Sequence, residues 1–579
     1  MVQGELLLLL AIHVVLTGLP GAAVALYAAS RGERREPVLL AIFLAASGSA
    51  AMFDFWAYYG SHEIGQTASF FIAFGSVLLG GWSLYDGNIE RDLLRRLATP
   101  LVLWLLGSAF LIYLGFIHGG NHEALAMSAK RFSGQMPSDN DIPRFFSDWF
   151  FSHGHNGTPP VFPGEWLASD RPPRQTAYAV YERTFAWDDI GLHYQVMGVV
   201  LQQLWIVGLW ALLLAGRAGR VTRWLAMLTV LVSDVAIVNG FFVWPKMLPA
   251  AMLLAAAALV LTPLWSEVRR SFWGAALLAA LLGLALLGHG ASVFGVVPLL
   301  IVAAFRGLPS WRWIGFGILI GALFMLPWSA FQRWGDPPGN RLTKWFLAGE
   351  IEIDERGTLE AIRDSYGEAG LDGTIHNKGQ NFVSIAGGGP MALDLKVGVE
   401  NLFDGNVRGF VEHMRTIFFL RLLPSLGLLL IGMVAMLARI WRPARSADEW
   451  RLGFICLIAG AVGAVSWALI MFGGTNAATV IHQGSLVIPV LLMVAAAVGV
   501  RSLFPRFGLG LLLLNAVAML ALYAPALEPP EATSYSFFSG LIAAACLAGF
   551  CAVSLLRDRG ADQIAPVGDR PTTAIDSPA

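Results

Sequence analysis

The chain has 579 residues, of which 56% are hydrophobic and only 14% charged, and its formal net charge is −1. Soluble domains carry about 25% charged residues, so this composition excludes an ordinary soluble protein, and the near-neutral balance argues against a nucleic-acid partner. The three cysteines, Cys456, Cys546 and Cys551, all fall in apolar stretches, which argues against a disulfide framework or a cysteine metal site.

Apolar runs near 20 residues, each long enough to cross a hydrocarbon core about 30 Å thick, recur along the sequence. Taken in chain order they predict an all-α polytopic membrane protein of about fifteen spans: 5–29, 37–59, 66–85, 100–117, 191–215, 224–243, 246–264, 271–288, 291–305, 313–331, 416–438, 452–472, 484–500, 507–525 and 536–556. The opening "MVQGELLLLL" has no basic region before its apolar run and reads as a retained first helix rather than a cleaved leader. Alternate connections are basic: "RGERRE" (31–36), "RDLLRRL" (91–97), "GRAGRVTR" (216–223), "EVRR" (267–270), "RGLPSWRW" (306–313), "RIWRPARSADEWR" (439–451) and "RSLFPR" (501–506). Basic loops stay cytoplasmic, which puts the N-terminus on the exoplasmic side and the C-terminus in the cytoplasm, as in a bacterial cytoplasmic (inner) membrane.

This frame divides the chain into a three-helix N-terminal part (1–99), a transmembrane core (100–331) that contains a first large loop (118–190), a second large loop (332–415), C-terminal helices (416–557) and a polar tail (558–579) whose composition predicts disorder. Both large loops fall on the exoplasmic side and are too long for simple turns. "DIPRFFSDWFF" (141–151) carries aromatics on one side at near-helical spacing, the pattern of an interfacial helix.

Polar residues gather on that same side. The first loop holds Asp139, Asp141, Asp170, Asp188, Asp189, Glu165, His153, His155, Arg171 and Arg174, the last two within "ASDRPPRQ". Lys246 stands where span six turns into span seven, His289 between spans eight and nine, and His482 in "TNAATVIHQGS". Arg333 and Arg341 open the second loop, and Arg415 and Arg421 close it. Each has an ordinary reading. Cations at span ends snorkel to headgroups, loop aspartates cap helices or stay solvated, and a Pro-Pro pair stiffens an extended segment. Asp234, in the middle of a span, reads as a buried hydrogen-bonded group or a proton relay.

Together, cations at headgroup depth facing a loop rich in carboxylates suit a lipid-linked phosphate donor. Lys246, His289, Arg171, Arg174, Arg333 and His482 are the candidates to bind its phosphate. Asp139, Asp141 or Asp170 is the candidate base that takes a proton from an acceptor hydroxyl. Asp139 and Asp141 are also the candidate ligands should a divalent cation, Mg or Mn, take part.

This arrangement resembles the GT-C superfamily of polytopic glycosyltransferases, the group of protein mannosyltransferases, arabinosyltransferases and the lipid A aminoarabinose transferase. "SDND" (138–141) and "FFSDWFF" stand where the family carries an acidic residue and interfacial helices on its first exoplasmic loop, and "VWPKML" and "GHGASVF" where it sets cations against the donor phosphate. The resemblance covers roughly residues 100–500. In the family the acidic loop follows the first helix, whereas here it follows the fourth, which makes spans one to three an addition. It implies transfer of a sugar, with inversion, from a polyprenyl-phosphate donor to an envelope glycan, lipid or protein acceptor. The alternatives are a lipid or polysaccharide transporter or flippase, another exoplasmic transferase such as a ligase or acyltransferase, and a non-catalytic scaffold.

Overall fold

The computed structural model of the protein describes residues 2–132, 136–185, 190–353, 355–473, 485–525 and 536–556. Every regular element among them is helical. Ten helices are long and apolar enough to cross a membrane, and a bent pair, Arg220–Leu231 with Asp234–Phe241, makes an eleventh if it counts as one span. The expected spans 246–264, 271–288, 291–305, 416–438 and 484–500 fall on shorter apolar helices: Met247–Val260, Phe272–Leu286, Gly290–Phe305, Leu429–Ile440 and Val487–Leu503. The molecule thus has the build of a multi-pass membrane protein. The polar tail and the segment with His482 lie outside the described residues.

Serine marks several helix starts. Ser61, Ser310 and Ser446 each accept a backbone N–H from the first turn of the helix that follows, satisfying a donor that has no partner within the helix. Two helices form the centre. Met247–Val260 is buried along its whole length and packs against Glu36–Gly60, Trp205–Ala215 and Phe272–Leu286. Its run of alanines lets backbones come close: a Cβ on Gly208 would lie 2.4 Å from the Ala251 carbonyl oxygen. Val487–Leu503 fills the second central position, against Arg220–Leu231 and Ala447–Ile470. His62–Tyr85 and Trp311–Ala330 lie at the outside and expose phenylalanine, leucine and isoleucine, as lipid-facing helices do.

Three expectations change. The span expected at 416–438 is broken: Val407–Leu420 ends at Arg421, a short Leu422–Ser425 turn follows, and Gly427, at φ +51°, redirects the chain into Leu429–Ala435. Pro424 accounts for the break, since it lacks the N–H that a continuing helix requires. The span expected at 224–243 bends by 51° where Ser233 stops one half-helix and caps the next. The second large loop is mostly helix: Arg341–Ala348, Thr358–Ala386, Gly388–Phe403 and the first part of Val407–Leu420. Residues 358–403 also pass the length and composition test for a span, although Gly370, at φ +60° and ψ −170°, kinks them.

The first large loop enters the bundle. Ile142–His153 forms the expected helix and buries Ile142, Phe146 and Phe150. Pro172–Pro173 does not extend the chain. Pro173 starts the helix Arg174–Arg183, which packs against Glu36–Gly60 and is buried over nearly all its length. Inside, Glu182 accepts hydrogen bonds from Thr17 (2.6 Å) and pairs with His13 Nδ1 (2.6 Å), while His13 Nε2 lies 3.3 Å from His193 Nδ1. The first two helices of the chain are therefore built into the core through this loop.

Candidate functional site

A cavity of about 50 Å³ lies where the first loop meets the helix ends. Its polar lining consists of Asp139, Arg171, Lys246 and His289, together with the indole N–H groups of its tryptophans. Four separate segments deliver those four side chains, and each is held by identifiable contacts.

Asp139 sits in the short 3-10 turn Ser138–Asn140. Asn140 pins that turn: its side chain donates to Ser128 Oγ (2.9 Å) and to the Leu125 carbonyl (3.2 Å), and its own carbonyl accepts from Tyr194 (2.9 Å). Asp139 Oδ2 accepts from Arg171 Nη2 at 3.0 Å.

Arg171 follows the turn Ala168–Asp170, which Asp170 closes by accepting the Leu167 N–H at Oδ2 (3.0 Å). Its guanidinium stacks on Trp166 at 3.9 Å from the ring centroid, and Arg341 stacks on the same ring at 4.0 Å. Two guanidinium groups that close to one centroid cannot share a face, so the indole is sandwiched between them. Trp166 is presented by a tight turn in which Phe162 and Trp166 exchange both backbone hydrogen bonds, with Gly164 and Glu165 at positive φ. Arg341 fixes the turn by donating to the Glu165 carbonyl (2.6 Å). The second loop also holds the first through Asp336, which accepts the Ser169 N–H at 2.8 Å.

Lys246 ends the turn before Met247–Val260 and is 1% exposed. Its ammonium lies 2.9 Å from the Trp244 ring centroid, a cation–π contact, and it has no ion pair among the described residues. Burial, and then the Arg171 charge, push its pKa well below the usual lysine range, opposed by Asp139.

His289 follows Phe272–Leu286, and the adjacent Leu287 carbonyl accepts the Arg174 N–H at 2.9 Å, which ties this corner to the first loop. His289 Nδ1 accepts from the Ala291 N–H (3.2 Å). Nδ1 is therefore unprotonated, and Nε2 carries the hydrogen as a donor. Burial, then the charges of Lys246 and Arg171, hold this imidazole well below its usual range and keep it neutral.

Aromatic and apolar side chains close the cavity: Trp345 and Phe346 from Arg341–Ala348, Phe294 from the helix after His289, Trp467 from Ala447–Ile470 and Met471 just after it. Sequence reasoning missed this wall and the Trp166 sandwich. The available signal was a tryptophan beside Asp-Arg in an otherwise polar loop.

The remaining candidates lie elsewhere. Asp141 does not line the cavity. It binds Arg144 through both oxygens (2.5 and 3.0 Å), and Arg144 also holds Asp148. Asp170 stands behind Arg171, with Oδ1 buried and unbonded among the described residues. Burial raises its pKa, opposed by the Leu167 N–H and by the Arg341 and Arg171 charges. Arg174 is fully buried and donates to the Leu284 carbonyl (3.2 Å) beside Tyr178, so it is part of the packing. Arg333 is exposed and outside the lining. Arg415 is spent on the Leu522 and Pro525 carbonyls.

The cavity's donor set does not fit a divalent cation. Its one carboxylate is already bonded to a guanidinium and shares the space with an ammonium. Among the described residues no three His, Cys, Asp or Glu side chains gather as metal ligands. Chemically the pocket gathers a guanidinium, a lysine amine, a neutral imidazole N–H and one acid, three donors that can reach an anionic oxygen in a buried setting where each charge acts strongly.

Comparison with protein-family models, curated proteins and solved structures finds no match for this chain. The class its fold defines is a helical, multi-pass membrane protein, with a buried pocket lined by Asp139, Arg171, Lys246 and His289 at one end of the bundle.

Proposed function

We propose that the protein is a membrane glycosyltransferase that moves a sugar from a polyprenyl-phosphate donor to an envelope glycan, lipid or protein acceptor. In this reading it is a GT-C-like protein of about fifteen spans in a bacterial inner membrane, with the pocket on the exoplasmic face. One observation carries the proposal: Asp139, Arg171, Lys246 and His289, from four parts of the chain, line one pocket.

The donor phosphate is received by Lys246, Arg171 and the His289 N–H. It competes with Asp139 for Arg171, and this releases the carboxylate. Asp139 then accepts the proton of the acceptor hydroxyl as the hydroxyl oxygen attacks the anomeric carbon. The bond from that carbon to the phosphate oxygen breaks, and the electron pair leaves with the phosphate, whose added charge Lys246 and Arg171 offset. Ligand pockets span roughly 300–1,000 Å³, so the present cavity is a closed form. The Arg341–Ala348 helix, with Trp345 and Phe346, is the cover that moves aside.

The test is transfer of label from radiolabelled polyprenyl-phosphate sugars to cell-envelope acceptors by purified, reconstituted protein. Transfer that is lost in Asp139→Asn, but kept in Asp141→Asn, supports the proposal and identifies the base. The broken span at Ser233 favours a second reading. It buries Asp234 with both carboxylate oxygens unbonded among the described residues, as discontinuous helices of transporters do. Label that crosses the bilayer without being transferred would support this transporter reading and refute the first.

A further inference from the structure

The Met247–Val260 helix has a second end, and it too opens on a cleft. Fourteen residues of helix rise about 21 Å, so this cleft lies across the bundle from Lys246. Its volume is about 420 Å³. Four arginines line it: Arg217, Arg269, Arg306 and Arg451. The one carboxylate among its lining residues is Asp448, which bridges Arg217 (3.6 Å) and Arg451 (3.7 Å). Arg269 and Arg306 spend single N–H groups on the carbonyls of Leu308 (3.4 Å) and Thr262 (2.8 Å), which orients them without neutralising them. Four positive charges less one negative leave the lining at +3.

The backbone supplies a second observation. Trp205–Ala215 ends in a Schellman motif: the Arg217 N–H bonds to the Leu214 carbonyl and the Ala218 N–H to the Leu213 carbonyl, both at 2.9 Å. The left-handed position of that motif normally belongs to glycine. Here it is Arg217, at φ +56°, while the glycine stands one residue earlier at Gly216. Arg217 thus places a side chain in the cleft lining from a position that disfavours one, beside three other arginines, which points to a ligand rather than to folding.

The walls set the depth. The helices that end here, at Ala215, Val260 and Phe305, are apolar, and Trp265, Leu452 and Ile455 complete the lining. A cleft at the ends of apolar helices is where lipid headgroups meet a helical membrane protein. Arginine forks match phosphate oxygens in pairs.

We propose that this cleft is a binding site for a phosphate-bearing anion, separate from the pocket at the other end of the bundle. The shared chemistry is the phosphate group, carried either by an anionic phospholipid headgroup or by a soluble phosphate compound. The proposal stands independently of the glycosyltransferase reading.

The test uses the full chain. One arm compares thermal unfolding in nanodiscs of phosphatidylcholine with and without phosphatidylglycerol. The other adds inorganic phosphate or pyrophosphate to detergent-solubilised protein against chloride at matched ionic strength. The variants are Arg217→Gly, whose backbone suits the motif, and the double variant Arg306→Gln with Arg451→Gln. Arg91→Gln, a basic residue outside the cleft, is the control. We expect each cleft variant to weaken binding about tenfold and the control to leave it unchanged. Stabilisation by phosphatidylglycerol that the cleft variants lose identifies a lipid headgroup. Stabilisation by pyrophosphate with the same dependence identifies a soluble ligand. Stabilisation by neither, or a response equal in the control and the cleft variants, overturns the proposal.

Discussion

The two large loops separate a frame from a cover. The first, 118–190, sends the Arg174–Arg183 helix into the bundle, where its polar side chains find buried partners such as His13, Thr17 and Ser47. The second, 332–415, lies mostly at the surface: Thr358–Ala386 buries three residues and Gly388–Phe403 buries one. Only the beginning of the second loop reaches the pocket, through Asp336, Arg341 and the aromatic pair Trp345–Phe346. Most positioning groups thus sit on the first loop, while the second contributes Asp336, Arg341 and the half-buried Arg341–Ala348 helix and is otherwise largely exposed.

Substitutions in the frame should cost far more than equivalent ones in the cover. The largest expected effect is from Glu182→Ala, which leaves His13 buried without its carboxylate. Removing one member of a buried pair costs about 3–5 kcal/mol, read as a drop in the unfolding midpoint of purified protein. Asp394→Ala removes a comparable acid–histidine pair from the second loop, Asp394 with His413 at 3.2 Å, both partly exposed. Surface pairs contribute about 1 kcal/mol or less, and an equal loss for the two variants would erase the distinction.

In the pocket, Lys246→Ala should lower transfer roughly 10²–10³-fold, the range for losing one group that stabilises developing charge. Arg333→Ala, exposed and outside the lining, should leave transfer unchanged. His289 gives a milder, pH-dependent test. Its folded pKa is depressed, so the unfolded chain binds a proton first as pH falls below the ordinary 6.5. Stability from this group is complete above that pH and declines below it. His289→Asn should flatten the acid side of the unfolding profile, and an unchanged profile would show that the imidazole is not held neutral. The effect on transfer is expected to be smallest in the second loop. Gly370→Ala meets no neighbouring atom but sits at a backbone conformation reserved for glycine, worth about 1–3 kcal/mol locally. Its expected signature is a straightened 358–386 helix with little change in transfer.

The all-helical, multi-pass class was legible because apolar length can be read from sequence, but the count was not: about fifteen spans were expected, and among the described residues ten helices qualify while five expected spans fall on shorter helices. Lys246, His289 and Arg171 were legible as a group because each stands at a helix end or loop on one predicted side. What failed was discrimination over short distances. Asp139 and Asp141 are two residues apart, yet one turn sends them to different arginines, Arg171 and Arg144. Arg171 and Arg174 are three apart, but a helix begins between them and takes the second away from the pocket. The Trp166 sandwich joins loops far apart in sequence, and no periodicity reports such a pairing.

The hydrogen bond from the Arg174 N–H to the Leu287 carbonyl also has a consequence for biogenesis. The chain emerges N-terminal end first, so Arg174 is made before its acceptor exists. At about 5–20 residues per second, the intervening stretch takes on the order of ten seconds to synthesise. During that interval the Arg174–Arg183 segment can already pack on Glu36–Gly60 and pair Glu182 with His13 and Thr17, all made before it, but Arg174 lacks its Leu284 and Leu287 acceptors. The corner that holds His289 beside the first loop is therefore completed only when the helix ending at Leu286 is in place, which makes the pocket a late product of assembly.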